Sequence, residues 1–186
     1  MRPLPMPQPT LTAQRIRLRP FTLADAGELQ RLAGDRRVAE MTLNIPCPYP
    51  DGAAAAFIES RLEQYAGGHD VAYAIVNTSD ALVGGMGFVS LDGASNEAEM
   101  GYWVAFEHWG KGYASEAAGA LLDFAFDTLV LNRVTARHIV RNPASGRVME
   151  KLGMTLLRTE HDLPWRDGSR EDFVFRAITR AEWNAR

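Results

Sequence analysis

The stretch EAEMGYWVAFEHWGKGYASEAAGALLDFAF, residues 97–126, restricts the fold more than any other part of the sequence. Residues Glu97 to Phe106 alternate in the manner of a strand, and an alanine- and leucine-rich run to about Thr128 reads as a helix. Between them lie Gly110, Lys111 and Gly112, a turn poor in side chains with one positive charge. The first four amides of a helix have no internal partner, and the helix dipole puts partial positive charge there, so such a turn suits an anion. The chain must therefore carry a strand straight into a helix whose N-terminus stays open.

The flanking sequence supplies the rest of a layered domain. Arg15–Pro20 (RIRLRP) alternates as a first strand, and Leu23, Ala26, Leu29, Leu32 and Ala33 recur at helical spacing behind Thr22, a candidate cap. The loop NIPCPYPDG, stiffened by its three prolines, precedes a helix from Ala53 to Tyr65 that Gly67 and Gly68 end. VAYAIVN, ALVGGMGFVSL and EAEMGYWVAF read as an antiparallel meander. After the glycine turn and its helix come a strand, RVTARHIV, and a short helix, NPASGRVMEKLG, closed by Gly153. MTLLRTEHDL and EDFVFRAI then form a last strand pair around PWRDGS. This order predicts an α+β or mixed α/β fold with helices on the faces of one sheet. Prolines at positions 3, 5, 7 and 9 make residues 1–10 a flexible, extended arm, leaving residues 11–186 as one domain.

Composition narrows the function classes. With 186 residues, 46% hydrophobic and 23% charged, the chain is long and apolar enough for one real core and is unlike a disordered segment. A formal charge of -3 gives no basic footprint for nucleic acid. Cys47 is the sole cysteine, which excludes an internal disulfide or a cysteine-built metal site and points to a reducing, cytoplasmic compartment. It has no local signature of a nucleophile. No stretch is apolar enough for a signal peptide or a membrane helix.

Three phosphate-binding readings compete for the glycine turn. A P-loop needs Gly-x-x-x-x-Gly-Lys-Ser/Thr, and both the spacing and the hydroxyl are missing. A dinucleotide fingerprint needs a third glycine where Ser115 stands. The third reading takes Trp109-x-x-Gly112-x-Ala114, with Gly110, as an amide cradle for a pyrophosphate. In this the sequence resembles the Gcn5-related N-acetyltransferases, whose coenzyme A loop is Gln/Arg-x-x-Gly-x-Gly/Ala. It is most similar to the Rim-type ribosomal-protein N-terminal acetyltransferases, which favour Trp-Gly-Lys-Gly-Tyr-Ala-x-Glu-Ala. The resemblance runs from Ala13 onward through TAQRIRLRPFTLADAGEL, the quoted run, NPASGRVMEKLGM and EDFVFRAITRAEW.

The resemblance implies a single mixed, mostly antiparallel sheet of six to seven strands flanked by about four helices, with a cleft between the fourth and fifth strands. It implies acetyl-CoA as co-substrate, no metal, and direct transfer to a primary amine. The acceptor in the Rim-type branch is the α-amine of a protein or peptide. A small-molecule amine (a polyamine, amino acid or aminoglycoside) and a non-catalytic acyl-CoA-binding module are the alternatives. A homodimer through the exposed strand edge and tail is compatible with it.

Acetyl transfer to an amine needs a base, because a protonated amine has no lone pair with which to attack. Strand parity places Glu97, Glu99, Gly101 and Trp103 on one face and Met100, Tyr102, Val104 and Phe106 on the other. Glu99, a carboxylate in an otherwise apolar stretch, is the first candidate base; an edge-exposed glutamate is its plain reading. His138, on a strand face with Val134, Ala136 and Val140, is either a second candidate base or a hydrogen-bonded core residue. The resemblance further implies an oxyanion donor at the backbone of Trp103 or Val104 and pantetheine pairing along Val104 to Phe106. Where many relatives carry a tyrosine as proton donor for the thiolate, this chain has Met149. The Asn-x-x-Ser element supplies Asn142 as a coenzyme ligand, or merely a helix cap, and Ser145 as proton donor or pantetheine ligand. Lys111 adds charge beside the phosphates and Arg147 reaches the adenosine end. Trp103, Trp109 and Tyr113 flank the cleft. Glu116 needs nothing beyond its favourable place in the first turn of a helix.

Overall fold

In a computed structural model describing residues 1–186, the alternating runs become strands and the periodic runs helices. In chain order these are β1 (Leu11–Thr12), β2 (Ile16–Pro20), α1 (Ala26–Ala33), α2 (Arg36–Ala39), α3 (Ala53–Ala66), β3 (Val71–Asn77), β4 (Leu82–Asp92), β5 (Glu97–Val104) and α4 (Tyr113–Asp123). They are followed by β6 (Arg133–Ile139), α5 (Pro143–Lys151), β7 (Thr155–Pro164), β8 (Arg170–Thr179) and α6 (Arg180–Asn184). All eight strands join one sheet in the order β1-β2-β3-β4-β5-β6-β8-β7, antiparallel throughout except for the parallel pair β5 and β6.

This is the mixed, mostly antiparallel sheet that the sequence implies, with one strand more. β1 is two residues long and pairs only Leu11 with Leu18 and Thr12 with Arg17, too short to show a period-2 pattern. It shifts the count, so the expected fourth and fifth strands are β5 and β6. Two short helices also exceed the expected four: α2, capped by the Asp35 carboxylate, and α6, behind a Thr179–Glu182 capping box. The strand expected to reach Phe106 ends at Val104, because the chain turns into a 3-10 turn over Phe106–His108.

The sheet separates two cores. On one face α4 and α5 bury Leu121, Leu122 and Met149 against Met100, Val134 and Ala136. On the other, α1 and α3 bury Leu29, Leu32 and Ile58 against Phe21, Ala74 and Val76. The first turn before α1 is fixed by Asp25, whose carboxylate accepts from the Thr22 amide at 2.8 Å and from Arg19 at 2.7 and 2.8 Å. Residues 1–10 form no helix or strand and run along the body. Arg2 donates its amide to the Leu129 carbonyl, Tyr65 its hydroxyl to Pro5, and Gln8 its side-chain amide to Ala72. No helix is long and apolar enough to cross a membrane.

Candidate functional site

β5 and β6 are paired only from Glu97 with Arg133 to Met100 with Ala136. Beyond that they part, and a cleft of about 760 Å³ opens through the sheet. Its two mouths differ in chemistry. One lies on the α4 and α5 face; the other opens beneath α1, α3 and the proline loop.

At the first mouth the glycine turn has the form its composition predicts. Gly110 and Gly112 hold φ of 73° and 83°, left-handed conformations that strain other residues. A Cβ on Gly112 would also lie 3.3 Å from the Arg15 guanidinium. Arg15 braces the turn from behind, its Nε donating to Glu116 Oε2 at 2.8 Å and its Nη1 to the Lys111 carbonyl at 3.0 Å, while its own amide bonds Glu116 Oε1. Glu116 thus anchors the loop, a role the dipole alone did not suggest. Trp109 pins the other side, donating Nε1 to the Val104 carbonyl at 2.7 Å.

Trp109, Gly110, Gly112, Tyr113 and Ala114 line the cleft with Asn142, Ser145 and Arg147 of the α5 segment. Trp103 and Val104 line it as well, whereas Phe106 and Lys111 do not. The Phe106 ring turns away to sit 3.5 Å from the Arg37 guanidinium. Lys111 is exposed, its Nζ 3.5 Å from His108 Nδ1, and burial together with the Lys111 charge lowers the pKa of that histidine. The antiparallel ladder sorts the backbone donors. Ala105 donates to Val83, so alternation turns the Trp103 groups toward β4 and those of Tyr102 and Val104 toward the cleft.

Asn142 Oδ1 accepts from the Ser145 amide at 3.2 Å, so this asparagine caps α5 with Pro143 behind it while also lining the cleft. Ser145 Oγ lies 2.8 Å from the Tyr102 hydroxyl, which also donates to the Ser145 carbonyl at 3.0 Å. Parity had put Tyr102 on this buried face without a role. The signal was its hydroxyl, which needs a partner once buried. Burial pushes that phenol up to about 12, with the Ser145 hydrogen bond opposing. His138 shares this face and lies against α5: a Cβ on Gly146 would meet its Nε2 at 2.8 Å. Its Nδ1 lies 3.0 Å from the Ile139 carbonyl, and Nε2 is buried without a partner.

Glu99 projects from the opposite face, as parity predicts, with its Oε1 3.0 Å from Arg137 Nε. Asp70, buried at the same mouth, pairs with Arg61; burial raises its pKa and the Arg61 charge lowers it in part. Phe21, Tyr49, Phe57, Trp103 and Trp165 supply an aromatic wall. The proline loop and the PWRDGS turn, which cover this mouth, are tied together by Arg166 bonding the Ile45 carbonyl, and Arg141, just past β6, holds the Glu40 carbonyl after α2 at 2.9 Å. Sequence reasoning missed Asp70, Arg137 and these tethers, since nothing in their spacing links them.

Residues 15–155 match the acetyltransferase (GNAT) domain family. An uncharacterized N-acetyltransferase of Bacillus licheniformis, p20, is 34% identical over 148 residues, 77% of this chain and 80% of p20. A protein of Bacillus subtilis named as a candidate ribosomal N-acetyltransferase, YdaF, is 34% identical over 103 residues, 55% of this chain and 56% of YdaF. Among solved structures, Mycobacterium smegmatis RimJ in complex with CoA-disulfide superposes with a TM-score of 0.84 at 23% identity, covering 94% of this chain and 88% of RimJ. With the match spanning the splayed strands, the glycine turn and α5, the chain belongs to the Gcn5-related N-acetyltransferase family and is an acetyl-CoA-dependent N-acetyltransferase.

Proposed function

We propose that the acceptor is the N-terminal α-amine of a protein or peptide. The observation that carries this reading is the charge balance of the acceptor mouth. Both of its carboxylates are already matched by arginines, Glu99 by Arg137 and Asp70 by Arg61, inside an aromatic wall. A polyamine needs uncompensated acidic groups for its several positive charges, whereas one amine flanked by apolar and peptide groups does not. The ribosomal acetyltransferase name of one relative supports the same class.

Each residue then has a task. The amides at the start of α4, bare because Gly110, Gly112 and Ala114 offer little side chain, receive the pyrophosphate. Arg147 and Lys151, which line the cleft and form no salt bridge, add positive charge there, with Lys111 nearby outside the lining. The Val104 amide faces the cleft and polarises the acetyl oxygen. Glu99 takes the amine proton directly or through water, with Arg137 beside its Oε1. Ser145 protonates the departing thiolate, because Met149 is packed in the core and has no proton to give. His138 lies on the coenzyme face, away from the acceptor mouth, which favours Glu99 over it as the base.

The test is release of free thiol from acetyl-CoA with peptides, spermidine, free amino acids and an aminoglycoside as acceptors, with mass-spectrometric location of the acetyl group. Turnover on peptide α-amines in preference to the rest is expected. Preference for spermidine or an aminoglycoside would overturn the acceptor assignment, and coenzyme binding without turnover of any amine would favour a non-catalytic acyl-CoA-binding module.

A further inference from the structure

We propose that Tyr102 is a positioning residue for acetyl transfer, holding the Ser145 hydroxyl at the point where the thiolate leaves. The inference rests on the role given to Ser145 above and adds a residue with no part in that reading. One hydroxyl meets two acceptors of one residue: the Tyr102 oxygen is 3.0 Å from the Ser145 carbonyl and 2.8 Å from its Oγ. A phenol has one hydrogen to donate, so donation to the carbonyl leaves the Tyr102 oxygen to accept from Ser145 Oγ. Donation to Oγ instead frees the serine hydrogen for the sulfur. The pair thus has two arrangements that differ by the swing of the two hydroxyl hydrogens, with no movement of heavy atoms.

The proton balance is simple. As the C–S bond breaks, its electron pair stays on sulfur and the Ser145 Oγ proton passes to it. The Tyr102 hydrogen turns onto Oγ as that proton leaves and follows it there, because an alkoxide is a stronger base than a phenolate, so no free alkoxide forms. The amine proton taken by Glu99 returns to solvent, and solvent restores the hydrogen of Tyr102. The burial that raises its pKa keeps it a donor at neutral and alkaline pH. Placement favours this use of the residue, since Tyr102 stands on β5 just past Met100, where pairing with β6 stops, and its hydroxyl reaches across to α5.

The experiment compares Tyr102→Phe, Ser145→Ala and the double variant, by calorimetric titration with acetyl-CoA and by steady-state turnover of the best peptide acceptor. Tyr102→Phe should lower kcat about tenfold, as loss of a hydrogen bond to a developing charge does. The loss should be constant with pH, because the phenol does not titrate in the working range. The KM for acetyl-CoA should stay within about twofold, and the double variant should be no slower than Ser145→Ala. Wild-type kcat in Tyr102→Phe, or losses that multiply in the double variant, would overturn the proposal. Loss of coenzyme binding in Tyr102→Phe would also overturn it, by showing a structural role. If Ser145→Ala is as active as wild type, the assignment of Ser145 itself fails and the Tyr102 role with it. If only Ser145→Ala is slow, Ser145 stands and Tyr102 alone is refuted.

Discussion

The coenzyme mouth of the cleft is assembled from two short segments, residues 102–116 and 142–151, while the acceptor mouth draws single residues from Phe21 to Phe173. The first mouth offers mainly backbone. Its amides are exposed because Gly110 and Gly112 hold conformations other residues resist, and Arg15 and Glu116 hold that turn in place. The second offers mainly side chains, matched in charge and covered by two loops tied through Arg166. In the proposed assignment a ligand common to a whole family is met by a contiguous motif, and the acceptor by a dispersed set. Variants on the two sides should therefore separate coenzyme affinity from turnover and acceptor choice.

The largest effect expected is on the acceptor side. Glu99→Gln should lower kcat by roughly a hundredfold, as loss of a general base does, with calorimetric acetyl-CoA affinity unchanged. Asp70→Asn is the control at the same mouth and should cost far less turnover. If it proves the more damaging of the two, Asp70, with its raised pKa, replaces Glu99 as base. On the coenzyme side, Gly112→Val puts a β-branched residue at φ of 83° and crowds Arg15. It should weaken acetyl-CoA binding by about ten- to a hundredfold in calorimetric titration, the cost of such backbone strain. Unchanged affinity would mean that the turn is not the coenzyme cradle.

Stability gives a third contrast. Asp25 sits under the acceptor wall, where burial raises its pKa but Arg19 and the Thr22 amide outweigh that, leaving it below the ordinary 3.8. A carboxylate depressed in the folded state adds stability that is full above its unfolded pKa and is lost as pH falls through its folded pKa. Asp25→Asn should accordingly lower the urea midpoint at neutral pH, and the gap to wild type should close as pH falls below 3.8. A gap independent of pH would show that the charge of Asp25 contributes nothing. The smallest effect belongs to the loop tether. Arg166→Ala should raise the acceptor KM a few-fold, leaving acetyl-CoA affinity alone, as loss of one half-buried hydrogen bond permits. Equal changes in both would mean that the two mouths are not independent.

The same contrast explains what was legible in the sequence. Alternation in Glu97–Val104 gave both faces of β5 and put Glu99 opposite Tyr102, because a strand's period is local. The glycine turn and the Asn142 to Ser145 element were readable because each is contiguous and made by backbone geometry. β1 and α2 were not, being two and four residues long with no period to detect. Phe106 and Lys111, expected to pair with the pantetheine and to add charge beside the phosphates, lie outside the cleft lining: the 3-10 turn after Val104 carries the Phe106 ring away, and Lys111 reaches His108. Arg137 and Asp70 were invisible for a different reason. Each is matched in charge by a partner that only the fold brings near, Glu99 on the neighbouring strand β5 and Arg61 on α3, and neither contact leaves a trace in spacing.

The most direct test of the whole reading is the pH dependence of kcat/KM for peptide acetylation by wild type and Glu99→Gln. If Glu99 accepts the amine proton, the variant depends on acceptor that has already lost its proton, so the gap should be widest at neutral pH and narrow as pH rises past the α-amine pKa of about 8. A gap that stays constant across that range, or no gap at all, would contradict the assignment of the acceptor mouth and its base.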